Sequence, residues 1–177
     1  MIRFFDIVLS AIGIIFFFPI FLVILFFSFF DTGRPLFFQK RVGLDQKIFN
    51  IIKFRTMKVE TLSKSTHLID PSNITSFGYF LRKFKLDELP QFWSVLIGKM
   101  SFVGPRPCLP SHKKLIIERK KKRVFKVKPG ITGLAQISGI NMSTPTLLTK
   151  TDLKMIKQLN IFYYFYYIFK TVFLIFR

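Results

Sequence analysis

The chain has 177 residues, half of them apolar, with 28 Lys+Arg against 9 Asp+Glu and a single cysteine. That length fits one domain, the lone Cys108 excludes a disulfide scaffold, and the wealth of Phe, Ile, Leu and Val excludes a disordered chain even at a net charge of +19. Twenty-five Phe beside that charge is unusual for a soluble basic protein. It suits a protein lying on an anionic membrane, which needs cations for the headgroups and apolar area for the interface.

From Ile7 to Phe30 there is no charged residue, a run longer than the ~20 that a helix needs to cross the hydrocarbon core. It is too long for the apolar part of a cleaved signal peptide and no small-residue cleavage pattern follows it, so it reads as a retained anchor. Pro19, in its middle, removes one backbone hydrogen bond and crowds the preceding turn, which predicts a break near Phe18. Two paths are open. The helix crosses, as proline-containing membrane helices do, or it turns back into the leaflet it entered. The flank from Arg34 to Lys58 is basic with Asp45 as its one acid, which assigns the body to the cytoplasmic side on either path. A lone cysteine agrees with that reducing compartment.

Farther on, Pro35–Phe38 and Ile48–Ile52 read as short strands around the turn signal Gly43-Leu44-Asp45, and the polar stretch Thr61–Ser76 reads as a mobile loop. Asp87-Glu88 is the one adjacent pair of acids. Pro90 suits a first helical turn, and Leu89, Phe92, Trp93, Leu96 and Ile97 recur at helical spacing, predicting an amphipathic helix from Asp87 to Gly98. On a purely structural reading Asp87 caps that helix and Glu88 pairs with a nearby base. The following Val103-Gly104-Pro105-Arg106-Pro107 sets an arginine between two prolines, which limits how far its guanidinium wanders, and arginine grips phosphate through a two-pronged fork. A carboxylate pair able to hold Mg²⁺ with substrate phosphates, plus preset arginines, is the equipment of phosphoryl transfer. Zinc is excluded because His67, His112 and Cys108 form no spaced cluster. The stretch from Ser111 to Lys128, with Glu118 as its one acid, is either a solvated helix face or a headgroup-docking surface, and the aromatic segment Ile161–Phe176 reads as interfacial rather than spanning.

These residues resemble the monotopic phosphoglycosyl transferases, bacterial sugar transferases that start glycan assembly on polyprenol phosphate. The likeness runs through the anchor, Phe37-Phe38-Gln39-Lys40-Arg41-Val42-Gly43, Lys53-Phe54-Arg55-Thr56-Met57, Leu81-Arg82-Lys83 with Leu86-Asp87-Glu88-Leu89-Pro90-Gln91, Val103–Pro107 and Lys128–Gln136. The resemblance implies a small α/β monotopic membrane enzyme with a re-entrant anchor at 1–33 broken at Pro19, and a catalytic domain at 34–177 bearing interfacial helices and a few short strands. It implies residence on the cytoplasmic face of the bacterial inner membrane. The implied reaction moves a phosphosugar from a UDP-sugar to undecaprenol phosphate and releases UMP. Asp87 would be the nucleophile, Asp87 and Glu88 the Mg²⁺ ligands, and Arg82, Pro105, Arg106 and Gln136 the substrate-binding set. The implied partners are the UDP-sugar, the polyprenol phosphate and anionic phospholipid, with no nucleic acid. Two departures stand out: Phe18, where relatives carry Ser or Lys before the proline, and Ile140, where they carry Arg in Gly-Arg-Asn. The departures leave an inactive scaffold of the same fold as the alternative reading.

Overall fold

The computed structural model describes residues 1–59 and 70–175. Helix α1 occupies Ile2–Thr32 and stops at Gly33, whose left-handed conformation lets its N–H reach the Phe29 carbonyl. A hairpin follows, β1 (Leu36–Val42) antiparallel to β2 (Ile48–Phe54), with Leu36 opposite Phe54 and Val42 opposite Ile48. Its turn is a 3₁₀ segment, Leu44–Gln46, at the position that the Gly-Leu-Asp signal marks. The expected polar loop falls largely on positions 61–69, outside the described residues, as does His67. From Asp70 onward that stretch is ordered into a 3₁₀ turn, Pro71–Asn73, which leads to α2 (Ser76–Lys83), capped by Thr75 Oγ1 at 2.9 Å from the Gly78 amide.

The helix expected from Asp87 to Gly98 is two pieces. Leu86–Glu88 form a 3₁₀ turn, and α3 begins only at Gln91 and ends at Leu96. Pro90 has no N–H to give the Leu86 carbonyl, as α-helical bonding would require; the Leu89 amide takes that carbonyl instead, at 3.2 Å, and tightens the turn. Asp87 therefore does not cap α3. Beyond it lie β3 (Ser101–Val103), α4 (Lys113–Lys121), β4 (Gly130–Thr132) parallel to β3, α5 (Leu134–Ile137), α6 (Pro145–Gln158) and α7 (Ile161–Ile175).

The anchor differs from expectation at Pro19. The helix is continuous through it, with Pro19 inside α1. One lost backbone bond is not enough to end a helix whose flanks are packed on both sides of the proline, Phe17 against Phe92 and Phe21 against Phe54, with ring centroids 6.2 and 4.8 Å apart. The buried positions Asp6, Ser10, Gly13, Ile24 and Ser28 keep helical spacing along one face, while Ile15, Phe16, Phe26 and Phe30 on the rest of the helix are exposed. Both ends are tied to the same body. Near the start, Arg3 donates to the Val95 and Leu96 carbonyls at 2.6 and 2.7 Å, and near the end Asp31 accepts from Thr75 Oγ1 at 2.6 Å.

Asp6 is the principal fastening. Its Oδ1 accepts from Ser101 Oγ, the Phe102 amide and Tyr164 OH, at 2.9, 3.0 and 2.9 Å, and the residue is only 2% exposed. One carboxylate thus joins α1, β3 and α7. Replacing it by Ala leaves three buried donors without their acceptor, at about 1–3 kcal/mol each. Asp6→Ala is expected to lower the melting temperature by about 10 °C, and Asp6→Asn, which keeps one acceptor oxygen, by clearly less; thermal unfolding of the detergent-solubilised protein measures both.

Candidate active site

The site forms where the 3₁₀ turn carrying the dyad meets the edge of β2 and the Pro-Arg-Pro segment. Lys85 takes a left-handed conformation (φ 57°) that separates α2 from this turn and swings Asp87 and Glu88 inward, where they are 8% and 9% exposed. Burial of two adjacent carboxylates demands cations. Lys53 Nζ lies 2.6 Å from Glu88 Oε1 and 3.8 Å from Asp87 Oδ2, and Arg106 Nη2 lies 3.2 Å from the same Glu88 oxygen. Arg82, half-buried on the last turn of α2, donates from Nε to Thr56 Oγ1 at 2.8 Å and sits close enough for its charge to act on Asp87. Gly78 makes that possible, because any side chain there would collide with the Thr56 backbone as α2 passes it.

The two carboxyls are held in opposite electrostatic states. Burial favours the protonated form of each, but at Glu88 the charges of Lys53 and Arg106 outweigh it and hold the group well below the usual carboxylate range. At Asp87 burial prevails over Lys53, and the neighbouring Glu88 charge adds to it, so its pKa is raised. Glu88 is a fixed, engaged anion. Asp87 makes no hydrogen bond among the described residues and is the oxygen donor left available.

Of the residues singled out in the sequence, Asp87, Glu88 and Arg106 come together, with Arg82 beside them. Pro105 is buried behind the site, its carbonyl accepting from the Gly130 amide at 3.0 Å. Gln136 Nε2 donates to the Gly104 carbonyl at 3.3 Å and so braces the segment that presents Arg106. Ile140 packs as a partly buried apolar side chain against the cluster of Val42, Cys108 and Leu115. Lys53 is the site residue that the sequence reading left out. Its signal was present: as a cation flanked by Ile51, Ile52 and Phe54 in a strand, it needs a carboxylate partner to be half-buried.

Among the described residues there is no group of three or more His, Cys, Asp or Glu placed to hold a metal. The chemistry of the dyad is compatible with Mg²⁺, which keeps several waters and takes one or two carboxylates plus substrate phosphates, and Asp87 accepts no hydrogen bond among the described residues. An apolar groove of about 300 Å³ adjoins the dyad turn, lined by Phe17, Phe21, Leu36, Ile52, Leu89 and Pro90 among others.

Comparison with known proteins places the chain in a family. The chain matches the family model for bacterial sugar transferases over residues 1–177. It is 41% identical over 155 residues to the UDP-glucose:undecaprenyl-phosphate glucose-1-phosphate transferase of Escherichia coli (strain K12), covering 81% of this chain and 33% of that protein. It is 49% identical over 110 residues to the uncharacterized sugar transferase EpsL of Bacillus subtilis (strain 168), covering 62% of this chain and 54% of that one. The galactosyl transferase CpsE of Streptococcus agalactiae serotype III (strain NEM316) is 39% identical over 146 residues, covering 74% and 32%. The chain thus spans about half the length of one of these relatives and about a third of the other two. A full-length family match, with a buried carboxylate dyad set among cations, leads to one conclusion: the chain belongs to the bacterial sugar transferase family.

Proposed function

We propose that the chain is a monotopic phosphoglycosyl transferase that moves a phosphosugar from a UDP-sugar to undecaprenol phosphate. The observation that carries this reading is Asp87: a buried carboxylate that accepts no hydrogen bond among the described residues, 3.8 Å from Lys53 and beside a glutamate already engaged by Lys53 and Arg106. A free oxygen in a cation-lined site can attack phosphorus where two anions must otherwise approach each other. Asp87 Oδ forms a bond to the β-phosphorus, the bond from that phosphorus to the α-phosphate oxygen breaks, and UMP leaves with the electron pair. An oxygen of the polyprenol phosphate then attacks the aspartyl phosphosugar, the phosphorus–aspartate bond breaks, and Asp87 is regenerated as carboxylate. Arg106 and Arg82 bind the diphosphate oxygens, and Lys53 keeps Glu88 ionised and out of the attack line. Mg²⁺, held by Asp87 and Glu88, supplies further neutralisation of the diphosphate charge.

The way α1 is held supports a monotopic setting. A helix of 31 residues, ~46 Å long, that is tied to one polar body at both ends does not carry that body on one side of a bilayer only by crossing it. It lies with its apolar face in one leaflet, with both ends cytoplasmic, and the exposed Phe80, Trp93, Phe169 and Phe173 extend that apolar surface across α2, α3 and α7. The basic flank draws the body to anionic phospholipid of the inner membrane. The groove between α1 and the dyad turn takes the isoprenoid chain, and the cations beside Asp87 take its phosphate. The acceptor pairs an apolar tail with an anionic head, and the site pairs an apolar groove with a cationic end.

The test is nucleotide release. Purified protein in nanodiscs of anionic lipid, with Mg²⁺, undecaprenol phosphate and a panel of UDP-sugars, is expected to yield UMP with at least one sugar. Without acceptor, mass spectrometry is expected to find a phosphosugar on the Asp87 peptide. UDP in place of UMP would overturn the mechanism, and no nucleotide with any sugar would return the inactive-scaffold reading.

A further inference from the structure

Each backbone carbonyl from Gly104 to Cys108 accepts a hydrogen bond from a residue distant in sequence. Gln136 Nε2 takes that of Gly104 at 3.3 Å, the Gly130 amide that of Pro105 at 3.0 Å, and the Val42 amide that of Cys108 at 2.9 Å. The remaining two are held by arginine side chains: Arg119 Nη1 at 2.8 Å from the Arg106 carbonyl and Arg41 Nη1 at 3.0 Å from that of Pro107. Arg119 itself is locked by Asp152 of α6, whose Oδ2 accepts from its Nε at 3.0 Å and its Nη2 at 2.7 Å, and both residues are 1% exposed.

A buried ion pair is a poor device for stability alone, because apolar residues of the same volume serve as well or better once desolvation is counted. An apolar pair, however, cannot donate to the Arg106 carbonyl. That carbonyl matters for direction. Pro105 and Pro107 fix their own φ and restrict Arg106, the residue before a proline, to extended conformations. Fixing the Arg106 carbonyl then sets the peptide plane to Pro107, and with it the line along which the Arg106 side chain leaves the backbone toward Glu88, 3.2 Å from its guanidinium.

We propose that Arg119 and Asp152 are positioning residues that aim Arg106 at the substrate phosphates, coupling α4 and α6 to the site; for the phosphate itself this rests on the transferase reading above. The pair lies 33 residues apart in sequence and touches neither carboxylate of the dyad, so its effect on turnover passes through Arg106.

A double-mutant cycle in nanodiscs tests this, with Arg119→Lys, Arg106→Ala and the pair together, read as kcat/KM for the UDP-sugar. Arg106→Ala is expected to cost about 100-fold and Arg119→Lys about tenfold, with the double variant within about threefold of Arg106→Ala alone. A merely structural role makes the losses multiply, and that outcome overturns the proposal. Hydrogen–deuterium exchange supplies a readout that needs no activity. In Arg119→Lys the peptide spanning residues 103–109 is expected to exchange faster while α4 and α6 stay protected; unchanged exchange there, or loosening throughout both helices, also overturns it. If Arg119→Lys fails to fold, Asp152→Asn takes its place in both measurements. A wild type that turns over no donor refutes the transferase reading, whereas the exchange result still decides whether the pair holds the Arg106 segment.

Discussion

Asp87→Asn is expected to abolish turnover, by about 1,000-fold or more, and at the same time to raise the melting temperature at neutral pH by a few degrees. The first effect follows from chemistry: an amide has no anionic oxygen with which to form the acyl phosphate. The second follows from burial. Folding removes Asp87 from water, and the loss of hydration outweighs the pull of Lys53, so its pKa is raised. A carboxyl that binds its proton more tightly folded than unfolded costs stability wherever it is ionised in both states. That cost is present above the raised pKa and disappears as pH falls through it and the folded protein takes up the proton. The melting-temperature advantage of Asp87→Asn is therefore expected to be largest near pH 7–8 and to shrink toward pH 4. Turnover of the wild type should show an acid limb, because the nucleophile must be ionised. Parallel melts across pH, with UMP release on the same preparations, measure both; equal melting temperatures at every pH would remove burial as the factor that sets Asp87 apart.

What could be read from the sequence was whatever a short stretch decides by itself. Leu36–Phe38 and Ile48–Ile52 are short, mostly apolar runs on either side of the Gly43-Leu44-Asp45 turn, so the hairpin was legible; its extra length came from pairing that continues past those residues. The dyad and the Pro-Arg-Pro segment were legible because acids are scarce and prolines fix the backbone. The 3₁₀ turn at Leu86–Glu88 was not, since periodicity of 3.6 continues through Leu89, Phe92 and Trp93 whichever way the first turn is wound. Pro19 predicts a break from local bonding, but the side-chain contacts that carry α1 through it come from Phe54 and Phe92, far along the chain. The same distance hid Arg119 and Asp152. Within a run of lysines Arg119 looks like one more solvated cation, and only the fold sets it opposite a carboxylate on α6. Lys53 was hidden differently: the dyad reads as self-sufficient until its burial shows that it cannot be.

Lys53→Met is the second large expected effect. It puts an apolar side chain of similar length where Nζ lies 2.6 Å from Glu88 and 3.8 Å from Asp87, leaving Arg106, among the described residues, as the one group in hydrogen-bond contact with the buried carboxylate pair. Removing one partner of a buried ion pair costs about 3–5 kcal/mol, and the lysine and glutamate side chains are 16% and 11% exposed, so screening by solvent recovers little of it. The melting temperature is expected to fall by about 10 °C at pH 7. The loss fades with acid. Glu88 is held low by Lys53 and Arg106 against its burial, so the stability this pairing contributes is present above the unfolded carboxylate pKa and is lost as pH falls through the depressed folded value. Without Lys53 that contribution shrinks, and the gap between variant and wild type should close as pH drops and both carboxyls take up protons. Turnover is expected to fall about 100-fold, with the acid limb of the rate profile moved to higher pH, because both carboxyls then protonate more easily. Lys53→Arg, which keeps the charge, is expected to recover most of the stability and part of the rate. A Lys53→Met protein that melts like wild type and keeps its acid limb would show that Arg106 alone neutralises the dyad, and would return Lys53 to the role of an ordinary strand residue.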